Sequence, residues 1–223
     1  MSVTDYAVIF DMDGVIIDSN PFHKIALRQF CKKYGFLLSD EELRNRIYGR
    51  TNKEWITNLF GSLSTGELSS YAEEKESLFR ELYQKDIKAV DGLKKFLKQL
   101  REANIPMAIG TSAPRSNVDY VLKATGIGDY FSVILDESHV IHGKPNPEIY
   151  QKVAKALKRP PANCIVFEDS LSGVEAAQKS GAKVVGITTT HSSSELSHCD
   201  FTCPDFKEIE PKELFERVFG QSS

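Results

Sequence analysis

Polar side chains follow three short apolar runs of the sequence, at the positions where those runs end. The residues concerned are Asp11 and Asp13, Thr111 and Ser112, and Glu168 and Asp169. If these side chains meet, their carboxylates repel one another and take up protons unless cations share the site. Lys144 and a divalent metal ion are the cations that we expect there.

The carboxylates and hydroxyls indicate chemistry on a phosphate. A small number of oxygen ligands is typical of Mg²⁺, which completes its shell with water and with phosphate oxygens of a substrate. Thr111 and Ser112 offer hydroxyl and backbone N–H groups at a strand-to-helix turn, where an anion binds well. Lys144 adds a positive charge, and phosphoryl transfer depends mainly on positioning and charge stabilisation. The sequence therefore predicts Mg²⁺ as the cofactor and a phosphorylated substrate.

The elements that must position these residues alternate along the chain. Runs of β-branched and aromatic residues predict buried strands at 6–10, 107–110, 131–135, 164–167 and 184–187. Amphipathic segments, each with its apolar residues on one helix face, lie between several of these runs. Such alternation predicts an α/β fold with a doubly wound parallel sheet. In these sheets ligands bind at the carboxyl ends of the strands, which is where the polar residues fall.

One stretch departs from the alternation, because residues 21–86 show four helical patterns and no convincing strand. We predict an inserted α-helical cap domain over 21–86 and an α/β core domain formed by 1–20 and 87–223. Ser39 and Glu42 match a capping box at the start of the second helix of the insertion. The two crossings between core and insertion are natural hinges.

The composition of the chain limits the classes of partner that we expect. The net charge is −3 and the pI is about 6.0, and Lys and Arg form no long run, so neither nucleic acid nor an anionic membrane is expected as a partner. The four scattered cysteines and the lack of signal-peptide features predict reduced thiols and a cytoplasmic location. Cys199 and Cys203 lack a second ligand pair at zinc-finger spacing. We expect a monomer that acts on a small phosphorylated metabolite.

Four motifs resemble, in order, those of the haloacid dehalogenase superfamily. They are Asp11-Met12-Asp13-Gly14-Val15, Thr111-Ser112, Lys144-Pro145 and Glu168-Asp169. The helical insertion directly after the first motif resembles the β-phosphoglucomutase-like branch of phosphatases and mutases. The resemblance covers nearly the whole chain and implies the Rossmann-like core of this superfamily with a helical cap.

The resemblance also implies roles for the motif residues. The residue that matches Asp11 attacks phosphorus and becomes an aspartyl phosphate. The residue that matches Asp13 protonates the leaving oxygen and then deprotonates the incoming nucleophile. Mg²⁺ is implied to bind the Asp11 carboxylate, the Asp13 backbone carbonyl and Asp169, with Glu168 contacting it more indirectly. The halide-cleaving members lack an acid at the place of Asp13, so dehalogenase activity is not expected.

Three residues of the predicted cap, His23, Arg50 and Lys75, are candidates for substrate contacts. His23 matches a cap histidine that assists the acid–base aspartate in related enzymes, although it also fits a core histidine with satisfied hydrogen bonds. Lys75 falls on the inward face of its helix and needs an anion, either a structural carboxylate or the substrate. Arg50 lies in a loop that resembles the specificity loop of these enzymes. We expect it either to bind a phosphate or carboxylate, or to form a salt bridge with Glu54 or another carboxylate of the cap.

The leading hypothesis is a phosphatase that hydrolyses a small, sugar phosphate-like monoester, with water activated by Asp13. The alternative is a β-phosphoglucomutase, in which a sugar hydroxyl accepts the phosphoryl group while cap closure excludes water. The mutases carry an arginine three residues after the loop glycine, where this chain has Asn52, and that departure favours the phosphatase. A hypothesis of another class is a non-catalytic regulator that binds a phosphometabolite, and the intact motif residues argue against it.

Overall fold

The computed structural model describes residues 5–47 and 51–220. The chain divides into two compact units. The α/β unit joins the described residues up to Asp18 to those from Ile87 onward, and the helical unit runs from Ser19 to Asp86. The helical unit therefore begins at Ser19, two residues before position 21, at which the sequence predicted its start.

The α/β unit contains a six-stranded sheet in which every pair of neighbouring strands is parallel. The strands are β1 (Ala7–Phe10), β2 (Met107–Gly110), β3 (Val133–Leu135), β4 (Cys164–Glu168), β5 (Lys183–Ile187) and β6 (Phe201–Cys203). Their order across the sheet is β3-β2-β1-β4-β5-β6, so β1 lies between β2 and β4. The predicted fold class, a parallel α/β sheet with a helical insertion, is confirmed. The strand β6 was not predicted.

Helices connect and cover the strands. They are α1 (Asn20–Lys33), α2 (Asp40–Arg46), α3 (Asn52–Phe60), α4 (Thr65–Tyr83), α5 (Leu93–Glu102), α6 (Arg115–Thr125), α7 (Glu148–Ala156), α8 (Leu171–Ser180) and α9 (Pro211–Phe219). The first four make up the helical unit. Among the helices described, none combines the length and the apolar character that crossing a membrane requires.

The central strand β1 is buried on both of its faces. On one face, Ala7 and Ile9 pack in a cluster with apolar residues of α7 and α8. On the other face, Phe10 stacks on Phe167 with ring centroids 5.2 Å apart, and Phe96 of α5 meets Phe167 edge-on. Alternate residues of a strand point to opposite faces, so β1 must be apolar throughout, as its sequence is.

The strand β3 corrects one prediction. All three of its residues are half-buried rather than fully buried, because β3 lies at the edge of the sheet and pairs only with β2. A continuous apolar run predicts burial, but the position of a strand in the sheet decides how much of it is covered.

The helical unit has its own core, in which Phe30 of α1 meets Trp55 of α3 edge-on. The capping box of Ser39 and Glu42 is present, as predicted, at the start of α2. The buried face of α4 is formed by Lys75, Glu76, Phe79 and Tyr83. The apolar spacing of α4 predicts a face of Leu68, Tyr71, Ala72, Leu78, Phe79 and Leu82, with Lys75 on the same stripe. Phe79 and Lys75 are buried, as predicted, while the other residues of the face are only half-buried.

Candidate active site

The carboxyl edge of the sheet brings four of the predicted residues into one cluster. Asp11 follows β1, and Glu168 and Asp169 lie at the end of the neighbouring β4. A ligand atom from each of these three carboxylates lies within 4.8 Å of the others, and all three side chains are buried. Lys144 Nζ donates to Asp11 Oδ1 at 2.6 Å and to Glu168 Oε1 at 2.5 Å. We call Asp11, Lys144, Glu168 and Asp169 the charged cluster.

Burial and charge shift every ionisable group of the cluster. Burial raises the pKa of Asp11 to about 7, although Lys144 acts against it. Burial also raises the pKa of Asp169 well above its usual range, and the negative charge of Glu168 adds to the rise. Lys144 outweighs burial at Glu168 and lowers the pKa of that carboxyl. Burial would lower the pKa of Lys144, but Asp11 and Glu168 raise it above its ordinary value.

These shifts indicate that the cluster lacks positive charge. Three ionised carboxylates and one ammonium leave a net charge of minus two in a buried place. Burial is the main cause of the raised pKa values of Asp11 and Asp169, and the excess of negative charge in the cluster adds to them. The missing charge equals that of one divalent cation, and the donors are all oxygens, which suit Mg²⁺. The residues present therefore fit the predicted metal.

Five hydrogen bonds hold the two oxygens of the Glu168 carboxylate. Its Oε1 accepts hydrogen bonds from Lys144 and from the Tyr150 hydroxyl, the latter at 2.6 Å. Its Oε2 accepts from the backbone N–H groups of Asp169 and Ser170 and from the Ser170 hydroxyl, at 3.0 to 3.2 Å. Gly173 in α8 leaves room for this carboxylate, because a Cβ there would lie 1.9 to 2.3 Å from its atoms. Glu168 is thus a fixed anchor for Lys144.

We expect Gly173→Ala to destabilise the protein by about 2–3 kcal/mol, because its methyl group overpacks a buried, ion-paired carboxylate. Gly66→Ala is the matched control, since Gly66 also lies in a helix and its new Cβ would meet no atom within 4 Å. This control should be neutral or stabilising by up to about 1 kcal/mol, because alanine favours helices over glycine. Urea unfolding measures both. Equal stability of the two variants would contradict the close approach at Gly173.

Asp13 lies in a tight turn directly after Asp11. The Met12 carbonyl accepts from the N–H groups of Ile16 and Ile17 at 2.9 and 3.2 Å, and Gly14 has φ of 78°, a conformation that glycine adopts without strain. Thr189 Oγ1 donates to the Gly14 carbonyl at 2.5 Å. The half-buried Asp13 side chain therefore lies in a turn whose flanking carbonyls, those of Met12 and Gly14, both accept hydrogen bonds.

Two threonines of this region were not predicted as site residues. Thr189 braces the turn of Asp13, and Thr190 donates its hydroxyl hydrogen to Asp169 Oδ2. A signal was nevertheless present, because they follow β5 at the same edge of the sheet as the other polar residues. The rule that draws attention to Asp11 and Asp169 applies equally to them.

The predicted phosphate-binding pair follows β2, on the other side of Asp11 from Asp169. Thr111 is buried, and its Oγ1 accepts a hydrogen bond from the Ala113 N–H at 3.1 Å. Ser112 is exposed at the start of the loop that leads to α6. Thr111 therefore shapes this strand-to-helix turn, while the Ser112 side chain is open to solvent.

In the helical unit, His23 and Lys75 contact each other. Lys75 Nζ lies 3.0 Å from His23 Nδ1 and donates to Glu76 Oε1 at 2.8 Å. An ammonium can only donate, so His23 Nδ1 is the acceptor and the ring proton lies on Nε2. The sequence left open whether Lys75 faces a structural carboxylate or a substrate. Glu76 is the structural carboxylate, so the burial of Lys75 by itself requires no substrate anion.

Asn52 belongs to the same hydrogen-bond network of the helical unit as Lys75 and Glu76. Its amide nitrogen donates to Glu76 Oε1 at 3.0 Å, and its amide oxygen accepts from Trp55 Nε1 at 2.9 Å. Glu54, which the sequence offered as a partner of Arg50, accepts hydrogen bonds from Thr51 in a capping box. Arg50 itself lies outside the described residues.

Comparison with known proteins places these features in a family. Over 187 residues, 81% of this chain, it is 36% identical to a phosphorylated carbohydrates phosphatase of Thermotoga maritima, of which the match covers 84%. Among solved structures, it resembles a family IA, variant 3 HAD hydrolase of Entamoeba histolytica with a TM-score of 0.87 and 34% identity, over 96% of this chain and 99% of that one. It also resembles a β-phosphoglucomutase of Clostridium difficile with a TM-score of 0.83 and 26% identity, over 96% and 97% of the two chains.

The family model described as haloacid dehalogenase-like hydrolase matches residues 8–187. That range contains the charged cluster, the Asp13 turn and the whole helical unit. The chain belongs to the haloacid dehalogenase-like hydrolase family.

Proposed function

We propose that the protein is a Mg²⁺-dependent phosphatase that hydrolyses a small, sugar phosphate-like monoester through an aspartyl phosphate. The observation that carries the proposal is the buried charged cluster, whose net charge of minus two calls for a divalent cation beside a nucleophilic carboxylate. Similarity to a phosphatase of phosphorylated carbohydrates supports the substrate class.

In the proposed reaction, Asp11 attacks phosphorus and its carboxylate becomes the acyl phosphate, while the ester oxygen leaves. Asp13 gives that oxygen its proton and then takes a proton from the water that hydrolyses the aspartyl phosphate. Lys144 touches Asp11 and supplies positive charge where the phosphoryl oxygens gather negative charge. Thr111 and Ser112 are proposed to bind the phosphate on the β2 side of Asp11.

Asp11, Asp169 and the backbone carbonyl of Asp13 are the groups that we propose to hold Mg²⁺, with Glu168 acting more indirectly. When bound, the ion supplies charge neutralisation between the carboxylates and the phosphate oxygens. Thr190 orients Asp169 through its hydroxyl, and the five donors around Glu168 fix the end of β4. The chain's own hydrogen bonds thus hold both acidic residues in place.

The second candidate function is that of a β-phosphoglucomutase. The motifs of the chain resemble that branch of the family, and its fold is similar to a β-phosphoglucomutase structure. One observation favours the phosphatase. Asn52 stands where the mutases have an arginine for the second phosphate, and both ends of its amide are engaged by Glu76 and Trp55. His23, Arg50 and Lys75 remain candidates for substrate recognition from the helical unit.

Release of inorganic phosphate tests the proposal. The purified protein with Mg²⁺ is incubated with sugar phosphates, phosphoglycolate, other monoesters and pyrophosphate, and free phosphate is compared with substrate consumed. A phosphatase releases one phosphate for each ester consumed. Conversion of a sugar phosphate into its isomer without free phosphate would establish the mutase instead. Binding of an ester without any turnover would support the regulator.

We expect Mg²⁺ to bind more weakly as pH falls, because protons and the metal compete for Asp11 and Asp169. With the pKa of Asp11 at about 7, lowering the pH from 8 to 5 should weaken the apparent affinity about 100-fold through Asp11 alone, since each pH unit below the pKa weakens it about tenfold, and competition at Asp169 adds to this loss. Titration calorimetry of the metal-free protein measures the affinity. Equal affinity at both pH values would show that the metal does not bind these carboxylates.

A further inference from the structure

Tyr150 lies on the buried face of α7, and its side chain contacts Glu168 and Lys144 of the charged cluster. It is completely buried, and its hydroxyl donates to Glu168 Oε1 at 2.6 Å. Burial and the negative charge of Glu168 raise the pKa of Tyr150 well above its ordinary value, so the hydroxyl keeps its proton and acts as a donor. Lys144 donates to the same oxygen at 2.5 Å.

This shared oxygen affects the position of Lys144. The ammonium bridges two carboxylates, Glu168 and Asp11, and both contacts are short. Two donors share the lone pairs and the negative charge of this one oxygen, so the hydrogen bond from Tyr150 leaves less of that charge to attract the ammonium. The Tyr150 ring also lies beside the ammonium, with its centroid 4.9 Å from Nζ. The hydroxyl of Tyr150 therefore limits the attraction of Glu168 for Lys144, while its ring is an additional favourable neighbour of the ammonium.

On the basis of the proposed function, we propose that Tyr150 is a positioning residue, whose hydroxyl shares Glu168 Oε1 with Lys144 and so keeps the ammonium beside Asp11. An ammonium has three hydrogens, and the two carboxylates take two of them. The third is available to a phosphoryl oxygen at Asp11. Tyr150 acts through Glu168 and Lys144 and does not itself contact the substrate.

Loss of the hydroxyl has two opposite consequences. Lys144 moves toward Glu168, so the phosphate and the transition state lose part of their positive partner. Asp11 loses part of its positive neighbour as well, so at alkaline pH, where protons compete little for it, its carboxylate becomes more attractive to a metal ion. Phosphate binding and turnover therefore fall, while the affinity for Mg²⁺ stays the same or rises. A residue that merely packs the core would weaken all three together.

Tyr150→Phe tests the proposal, because it removes only the hydroxyl. We expect kcat to fall about tenfold or more, as is usual for residues that hold a site from outside, with a smaller change in KM. In the absence of turnover, calorimetry with inorganic phosphate should show weaker binding, and calorimetry with Mg²⁺ should show affinity at least as high as in the parent protein. Tyr130→Phe is the control, since the Tyr130 ring packs against the Arg101 guanidinium and not against the charged cluster.

A wild-type kcat and phosphate affinity in Tyr150→Phe would overturn the proposal, as would a parallel loss of Mg²⁺ affinity. A second test combines Tyr150→Phe with Glu168→Gln. Because Tyr150 acts through Glu168, it should add little to the loss caused by Glu168→Gln, and full additivity would also overturn the proposal. If the parent protein hydrolyses no ester, the proposed function fails, while the two binding measurements still decide the role of Tyr150.

Discussion

Asp11→Asn should abolish phosphate release while leaving the fold intact. An amide cannot attack phosphorus to form the acyl phosphate, and loss of a covalent nucleophile costs roughly 10⁴-fold to 10⁶-fold in kcat in enzymes of this kind. Asparagine has nearly the same shape as aspartate, and it removes one negative charge from a buried cluster in which the pKa of Asp11 is raised to about 7. The variant should therefore be at least as stable as the parent protein above pH 7 in the absence of metal.

The measurement combines steady-state phosphate release with thermal unfolding. Asp129→Asn is the matched control, because it makes the same chemical change in an exposed turn of the α/β unit. It should keep wild-type turnover. With a phosphate-labelled ester, acid quenching should trap label on the parent protein and none on Asp11→Asn. Turnover by Asp11→Asn at the parental rate would exclude Asp11 as the nucleophile.

The strand ends could be predicted because their chemistry is local. A buried parallel strand needs a run of apolar residues, and the polar residue that follows it must lie at the carboxyl edge of the sheet. This reasoning identified Asp11, Thr111 and Glu168 without any knowledge of the order of the strands. It missed β6, since Phe201–Cys203 has only three residues and is flanked by polar loops.

The hydrogen bonds within the site could not be predicted, because they depend on how elements far apart in sequence are packed. Tyr150 looks like any aromatic residue on the apolar face of a helix, and its contact with Glu168 joins α7 to β4. Gly173 in α8 is required only because the Glu168 carboxylate occupies the space of its Cβ. The same holds for Lys75. The sequence predicts that its side chain faces inward, but it does not identify Glu76 as the partner.

Lys144→Met should destabilise the protein most at alkaline pH. Removing one partner of a buried ion pair leaves uncompensated charge and costs about 3–5 kcal/mol, and here the ammonium serves both Asp11 and Glu168. The raised pKa of Lys144 means that its contribution is fully present below its ordinary value of 10.5, so the parent protein keeps it throughout pH 5–8. Turnover should also fall by about 10²-fold to 10³-fold, the usual loss for a charge-stabilising donor.

The pH dependence of this loss separates charge from packing. Without Lys144, the carboxylates of the cluster bind protons more tightly in the folded than in the unfolded protein, and stability falls wherever the folded state holds more protons and pH rises. The deficit of Lys144→Met relative to the parent protein should therefore be large at pH 8 and should shrink toward pH 5, in metal-free urea unfolding. Lys179→Met is the control, because Lys179 forms an exposed ion pair with Glu175 on α8, and such pairs contribute about 0.5 kcal/mol. A deficit that is the same at pH 5 and pH 8 would mean that Lys144 stabilises the fold through packing of its methylene groups rather than through the carboxylates.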